Sequence, residues 1–202
     1  MKRLSVLAVV GLAALSCGRP AIELPAADRL SQDATIRRDT FGIPHILARS
    51  EEAAAFAFGY AQAEDHAVGI ARRLVAARGE EAKYAGASGL ANDLAMGQFD
   101  NLAEARRGLE IVSPLYRRIL AAYAAGVNRY VSRHRDRLPD GIPEFTAADV
   151  LANSRASAVS ALAGPGLRRQ LQSKYEPVGT SMEPLEPEEP EEPGSNAFAL
   201  AG

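Results

Sequence analysis

The stretch from Ser50 to Gly79 limits this chain most, because its pattern suits one long helix and little else. Phe56, Tyr60, Ala63, Ala67, Ile70 and Leu74 recur at steps of three and four, which makes one face apolar along its whole length. Ser50 stands where an N-cap is needed, and Glu51 and Glu52 place negative charge in the first turn, where the helix dipole favours it. Arg72, Arg73 and Arg78 lie toward the far end, and Gly79 follows as a stop. The polar residues Gln62, Glu64, Asp65 and His66 read as a structural cluster rather than a catalytic one.

Partners for the apolar face follow. A second helix is expected over Asn101 to Ile111, and Ser113-Pro114 opens a third, with serine as cap and proline at the first helical position. Leu115, Ile119, Ala122, Gly126 and Tyr130 stripe that third helix, narrowing at Ala122 and Gly126 where another element can approach. Thr146-Ala147-Ala148-Asp149 is a capping box, with Phe145 and Val150 placed to staple its two sides. The helix it starts is expected to end at Gly164-Pro165, with a shorter amphipathic piece from Leu167 to Tyr175. Residues 80–100 read as a glycine-containing loop. Ahead of the long helix, Thr35-Ile36-Arg37 and His45-Ile46-Leu47 are strand-like runs broken by Phe41-Gly42-Ile43-Pro44, as in a hairpin or a kinked strand.

The termini differ in character. Lys2 and Arg3, an apolar run from Leu4 to Leu15 and then small residues read as an export signal over 1–17, too short to span a membrane. Cys17 is the only cysteine, so no intramolecular disulfide can form; it fits either lipid attachment or ordinary cleavage nearby. Both place the mature chain outside the cytoplasm, in the periplasm or anchored in the envelope. Residues 18–33 read as a polar tether, 34–175 as the folded unit, and 176–194 as an acidic, proline-rich spacer that cannot bury enough apolar surface to order itself. Residues 195–202 begin something new, Ser-Asn-Ala-Phe.

The formal net charge is −2 and no basic patch is interleaved with aromatics, so nucleic acid is excluded as a partner. His45, His66 and His134 include no pair one helical turn apart, and there is neither a phosphate-binding glycine loop nor a Gly-x-Ser-x-Gly elbow. The bond between Gly194 and Ser195 is the best remaining place for chemistry. An unhindered glycine carbonyl followed by a hydroxyl can be cut by its own chain, leaving Ser195 as an N-terminus that carries nucleophile and amine base together. The bland alternative is a turn into a short strand.

Four groups of residues then come in a familiar order. Arg38-Asp39 with Gly42-Ile43-Pro44-His45-Ile46, Phe58-Gly59-Tyr60-Ala61-Gln62-Ala63-Glu64-Asp65, Ala122-Tyr123-Ala124-Ala125-Gly126-Val127-Asn128, and Pro143-Glu144-Phe145 leading to Asp149-Val150-Leu151 resemble the α-chain of the penicillin acylase family. Gly194-Ser195-Asn196-Ala197 resembles its processing site.

The resemblance implies an α+β fold, the mostly helical α-chain portion of an αββα N-terminal-nucleophile hydrolase, with the sheet layers of the β-chain absent. It implies an exported precursor that cuts itself at Gly194-Ser195 and hydrolyses linear amide bonds of N-acyl compounds, either β-lactam side chains or acyl-homoserine lactones. Ser195 would be the catalytic nucleophile, the β-chain of the same precursor the partner, and a small N-acyl amide the substrate. No cofactor is implied for the chemistry. Structural calcium is implied for the complete enzyme, and no metal ligand is assignable in this chain. Phe198 stands where the family commonly has tryptophan. The chain alone is expected to be truncated and inactive. The competing expectation is a non-catalytic helical envelope lipoprotein that binds a partner.

Overall fold

The computed structural model describes residues 27–174, with side chains through residue 161. In order, the elements are α1 (Ala27–Gln32), the strands β1 (Ala34–Arg38) and β2 (Pro44–Ala48), α2 (Glu51–Arg78), α3 (Ala82–Ala85), a 3-10 turn (Gly86–Gly89), α4 (Leu90–Gln98), α5 (Asn101–Ile111), α6 (Pro114–Arg133), a second 3-10 turn (Arg135–Arg137) and α7 (Ala147–Lys174). The sheet is a two-stranded antiparallel hairpin in which Ile36 faces Ile46 across the register. Helices thus dominate the described residues, as expected for the α-chain portion of an α+β fold.

The long helix forms as its sequence dictates. The Ser50 hydroxyl accepts the Ala53 N–H at 3.1 Å, and Gly79 closes the far end in the left-handed conformation, φ 73°. Phe56, Ala63, Ala67, Ile70 and Leu74 are all buried. One feature had no sequence signal: at His66 the backbone leaves helical values, φ −142° and ψ 40°, and α2 kinks there.

α6 lies beside α2 and runs in the same sense, from Arg118 against Glu52 at one end to Tyr130 against Tyr60 farther along. The two helices cross where both carry glycine. A Cβ on Gly59 would sit 2.3 Å from the Tyr123 carbonyl oxygen, and one on Gly126 would sit 2.1 Å from that of Phe56. Only backbone fits there, and the expected narrowing at Gly126 is where the helices touch. Ala122, the other expected narrow point, is fully buried as well, but the outer part of the expected stripe is corrected. Leu115 is 38% exposed and Ile119 half-buried, while Leu120, Ala124, Val127 and Val131 are buried. α6 meets α2 on one side and Phe145 with α7 on the other, so it buries two faces where a single period predicted one.

Three further expectations change. The last part of the tether is helical, with Leu30 of α1 packed against Ala53, Phe56 and Ala122. Six residues around one leucine are too few to show a period. The loop over 80–100 is instead α3, a 3-10 turn and α4, folded back on itself by the Asp93 carboxylate, which accepts the N–H groups of Glu81 at 2.7 Å and Ala82 at 2.9 Å. Finally, the backbone stays helical through Gly164-Pro165 to Lys174. Proline's fixed φ is itself helical, so it removes one hydrogen bond and kinks a helix without having to end it.

At the start of α7 the capping box forms. The Asp149 carboxylate accepts the Thr146 N–H at 2.6 Å and its hydroxyl at 2.8 Å, while Phe145 and Val150 pack into the same cluster as Leu74 and Val131. Asn101, 1% exposed, joins three helix segments by donating to the carbonyls of Ala77 at 2.9 Å and Ala152 at 3.0 Å.

Candidate functional site

Gly194, Ser195 and Cys17, the site residues the sequence points to, lie outside the described residues, as does the spacer. The described residues bring the four motif groups together pairwise.

The hairpin turn is built by its own aspartate. Asp39 accepts the N–H groups of Phe41 at 2.9 Å and Ile43 at 3.0 Å, and its other oxygen meets His45 Nε2 at 3.1 Å. His45, aided by the Ile43 N–H, holds the Asp39 carboxyl below its ordinary range. Arg38 fastens this turn to α2. Its guanidinium donates to the Gly42 carbonyl at 2.6 Å and to Glu64 Oε2 at 2.8 Å, and pairs with Asp65 Oδ1 at 2.9 Å. Glu64, then Asp65, raise the Arg38 pKa. The acidic pair on α2 therefore holds a turn, as the structural reading expected.

The other joins follow the same plan. The Asn128 amide makes a two-way clasp with Phe145, donating to its carbonyl at 2.7 Å and accepting its N–H at 2.9 Å. Arg78, at the end of α2, forks onto both oxygens of Asp149 at 2.6 and 2.7 Å and donates to the Glu144 carbonyl at 2.7 Å, with its plane over the Phe145 ring. Burial pushes the Asp149 carboxyl up, but Arg78 and Thr146 outweigh it and hold it below the carboxylate range.

Between α2, α6 and α7 an open cleft of about 320 Å³ remains. Ile70, Leu74 and Val150 give it an apolar floor, and Gln62, Arg73, Tyr123 and Asn153 give it polar walls. The Tyr123 hydroxyl donates to Gln62 Oε1 at 2.6 Å, and burial raises its pKa. Arg73 makes no ion pair among the described residues. Sequence reasoning missed this cleft because its walls come from three helices far apart in the chain. No group of three metal-ligating residues occurs among the described residues, and no described helix is long and apolar enough to cross a membrane.

The penicillin amidase pattern matches residues 33–202. This chain belongs to the penicillin amidase family. The chain is 34% identical over 139 residues to an acyl-homoserine lactone acylase PvdQ of Pseudomonas savastanoi pv. phaseolicola, a match covering 64% of this chain and 17% of that protein. It is also 34% identical over 113 residues to an acyl-homoserine lactone acylase QuiP of Pseudomonas putida, covering 56% of this chain and 14% of the relative. It thus spans less than a fifth of these curated members' length. A solved thermostable penicillin G acylase from Alcaligenes faecalis superposes with a TM-score of 0.55 at 22% identity, over 83% of this chain and 98% of the solved one. That likeness establishes the fold. In this penicillin amidase family member, the described motif residues do architecture: each clasp joins two elements, and none leaves a nucleophile exposed beside a base.

Proposed function

We propose that the polypeptide to which this chain belongs is an exported acylase that hydrolyses the linear amide of N-acyl compounds after cutting itself between Gly194 and Ser195. The observation that carries the proposal is the reach of the family match, which extends over 33–202 and so includes that bond. In self-cleavage the Ser195 hydroxyl adds to the Gly194 carbonyl, the C–N bond breaks as the ester forms and frees the Ser195 amine, and water then hydrolyses the ester, releasing the Gly194 carboxylate and restoring the Ser195 hydroxyl. In turnover that amine takes the hydroxyl proton as Oγ attacks the substrate carbonyl, and passes it to the departing amine. Water releases the acid from the acyl-serine. A free α-amine titrates near about 7.7–8.0, so kcat/KM should climb with pH through that range.

The names of the matched curated relatives favour acyl-homoserine lactones over penicillins as the substrate class. The cleft between α2, α6 and α7 is assigned to the α-chain's share of the substrate site in this reading, with Gln62, Arg73, Tyr123, Asn153 and Ser154 offering polar groups around Ile70, Leu74 and Val150. Export through residues 1–17, lipidation at Cys17, a β-chain partner and structural calcium belong to the same reading. No described residues form a calcium ligand set.

The test is made on the polypeptide continued past Gly202. Intact mass should show a chain beginning at Ser195, and Ser195→Ala should leave the precursor uncut and abolish hydrolysis of a long-chain acyl-homoserine lactone. Active enzyme with Ser195 internal would refute the mechanism. A stable, uncut and inactive parent protein would favour the binding lipoprotein instead.

A further inference from the structure

The hairpin of β1 and β2 is open along one side. The Arg49 N–H donates to the Asp33 carbonyl at 2.9 Å and the Asp39 N–H to the Ile43 carbonyl at 3.2 Å. In the register these bonds fix, Thr35, Arg37, His45 and Leu47 carry the bonds between the strands, and the backbone groups of Pro44, Ile46 and Ala48 point outward from β2. Neither the Ile46 nor the Ala48 N–H has an acceptor among the described residues. β1 has α1 beside it, whereas the main neighbours of β2 are β1 and, beneath it, α2.

Apolar side chains border that edge. Leu47 is 79% exposed on the hairpin face turned away from α2, Ile43 is 56% exposed just before β2, and Phe41 at the turn is 87% exposed. Two strands alone are marginal in water, and an open edge among exposed apolar side chains is a template for a further strand.

The sequence narrows what that strand can be. A second copy paired antiparallel about Ile46 would set Pro44 against Ala48 at both ends and lose a ladder bond at each, because proline has no N–H; a strand of other sequence loses one at a single end. The spacer over 176–194 is too rich in proline to form the ladder. This chain spans less than a fifth of its curated relatives, so a polypeptide of their length has many further segments to offer.

We propose that the outer edge of β2 receives a β-strand supplied by the same polypeptide after Gly202, with apolar side chains that cover Leu47 and Ile43. The inference rests on the reading that the polypeptide continues past Gly202 and is independent of the chemistry at Ser195.

The test uses the continued polypeptide with p-benzoylphenylalanine placed at position 47, followed by photocrosslinking and peptide mapping. Adducts should join position 47 to residues beyond 202 of the same molecule. In the unmodified parent, amide exchange at Ile46 and Ala48 should run at least about 100-fold slower than in an unstructured peptide. Leu47→Asp should speed that exchange about tenfold or more while the amides of α2 stay protected. Adducts confined to residues 1–202, adducts to a second copy in an isotope-mixed sample, no adduct at all, or rapid exchange at Ile46 and Ala48 in the folded parent would each overturn the proposal. Self-cleavage and hydrolysis with this edge unprotected would sink this inference alone. A protected, crosslinked edge in a parent that neither cuts itself nor hydrolyses would support it and sink the proposed function.

Discussion

Asp149 is 2% exposed and still ionised, because Arg78 and Thr146 supply more stabilisation of its charge than burial removes. Its folded pKa lies below the unfolded value of about 3.9, so its contribution is complete above that pH and is lost as pH falls through the folded value. Asp149→Asn should therefore destabilise the chain by about 3–5 kcal/mol at pH 7, leaving Arg78 without its counter-charge, and should flatten the loss of stability between pH 4 and lower values. Urea titrations of both proteins across that range measure both effects; equal stability at pH 7 would show that the pair is dispensable. Arg38 is a separate case, because it lies in solvent reach and works by geometry. Arg38→Lys keeps the charge and loses the fork, so amide exchange at Phe41 and Ile43 should quicken while global unfolding barely changes. Unchanged exchange there would mean that Asp39 alone holds the turn.

At the scale of elements, the crossing of α2 and α6 separates two kinds of glycine. Gly126→Ala drives a methyl into the Phe56 carbonyl and should cost about 1–3 kcal/mol or more, since two backbones must part. Gly69→Ala, in the same helix pair with nothing within 4 Å, should gain about 0.5–1 kcal/mol. Thermal melts of the two variants should move in opposite directions, and a shared direction would refute the close crossing. The sequence revealed α2 nearly whole because its apolar face is buried along its full length and caps mark both ends. It concealed α3 and α4, whose folding rests on Asp93 reaching back to the backbone at residues 81 and 82, a contact with no period. It likewise misread α6, where two buried faces blur into one. As for the candidate site, the motif residues were legible as a set, but their pairing was not. Arg78 with Asp149 and Asn128 with Phe145 are separated by 71 and 17 residues, and only the folded chain says which meets which.

For the molecule as a whole, the defining relation is that α2 and α6 lie side by side in the same sense, with Arg118 meeting Glu52 across 66 residues of chain. Such a pair cannot zip up from a tight turn; it closes only after α3, α4 and α5 have carried the chain back. During synthesis at roughly 5–20 residues per second, α2 would wait about 3–13 s for its cover, with Phe56, Ile70 and Leu74 unmet. Nascent chains stalled with α2 outside the ribosome but α6 still unmade should be cut readily by protease within α2, and chains long enough to free Asp149 should resist. Equal resistance at both lengths would mean that α2 finds other shelter. The parallel pairing of α2 and α6 thus sets a timing problem as well as a packing one, because the apolar face of the first waits uncovered until the second is made.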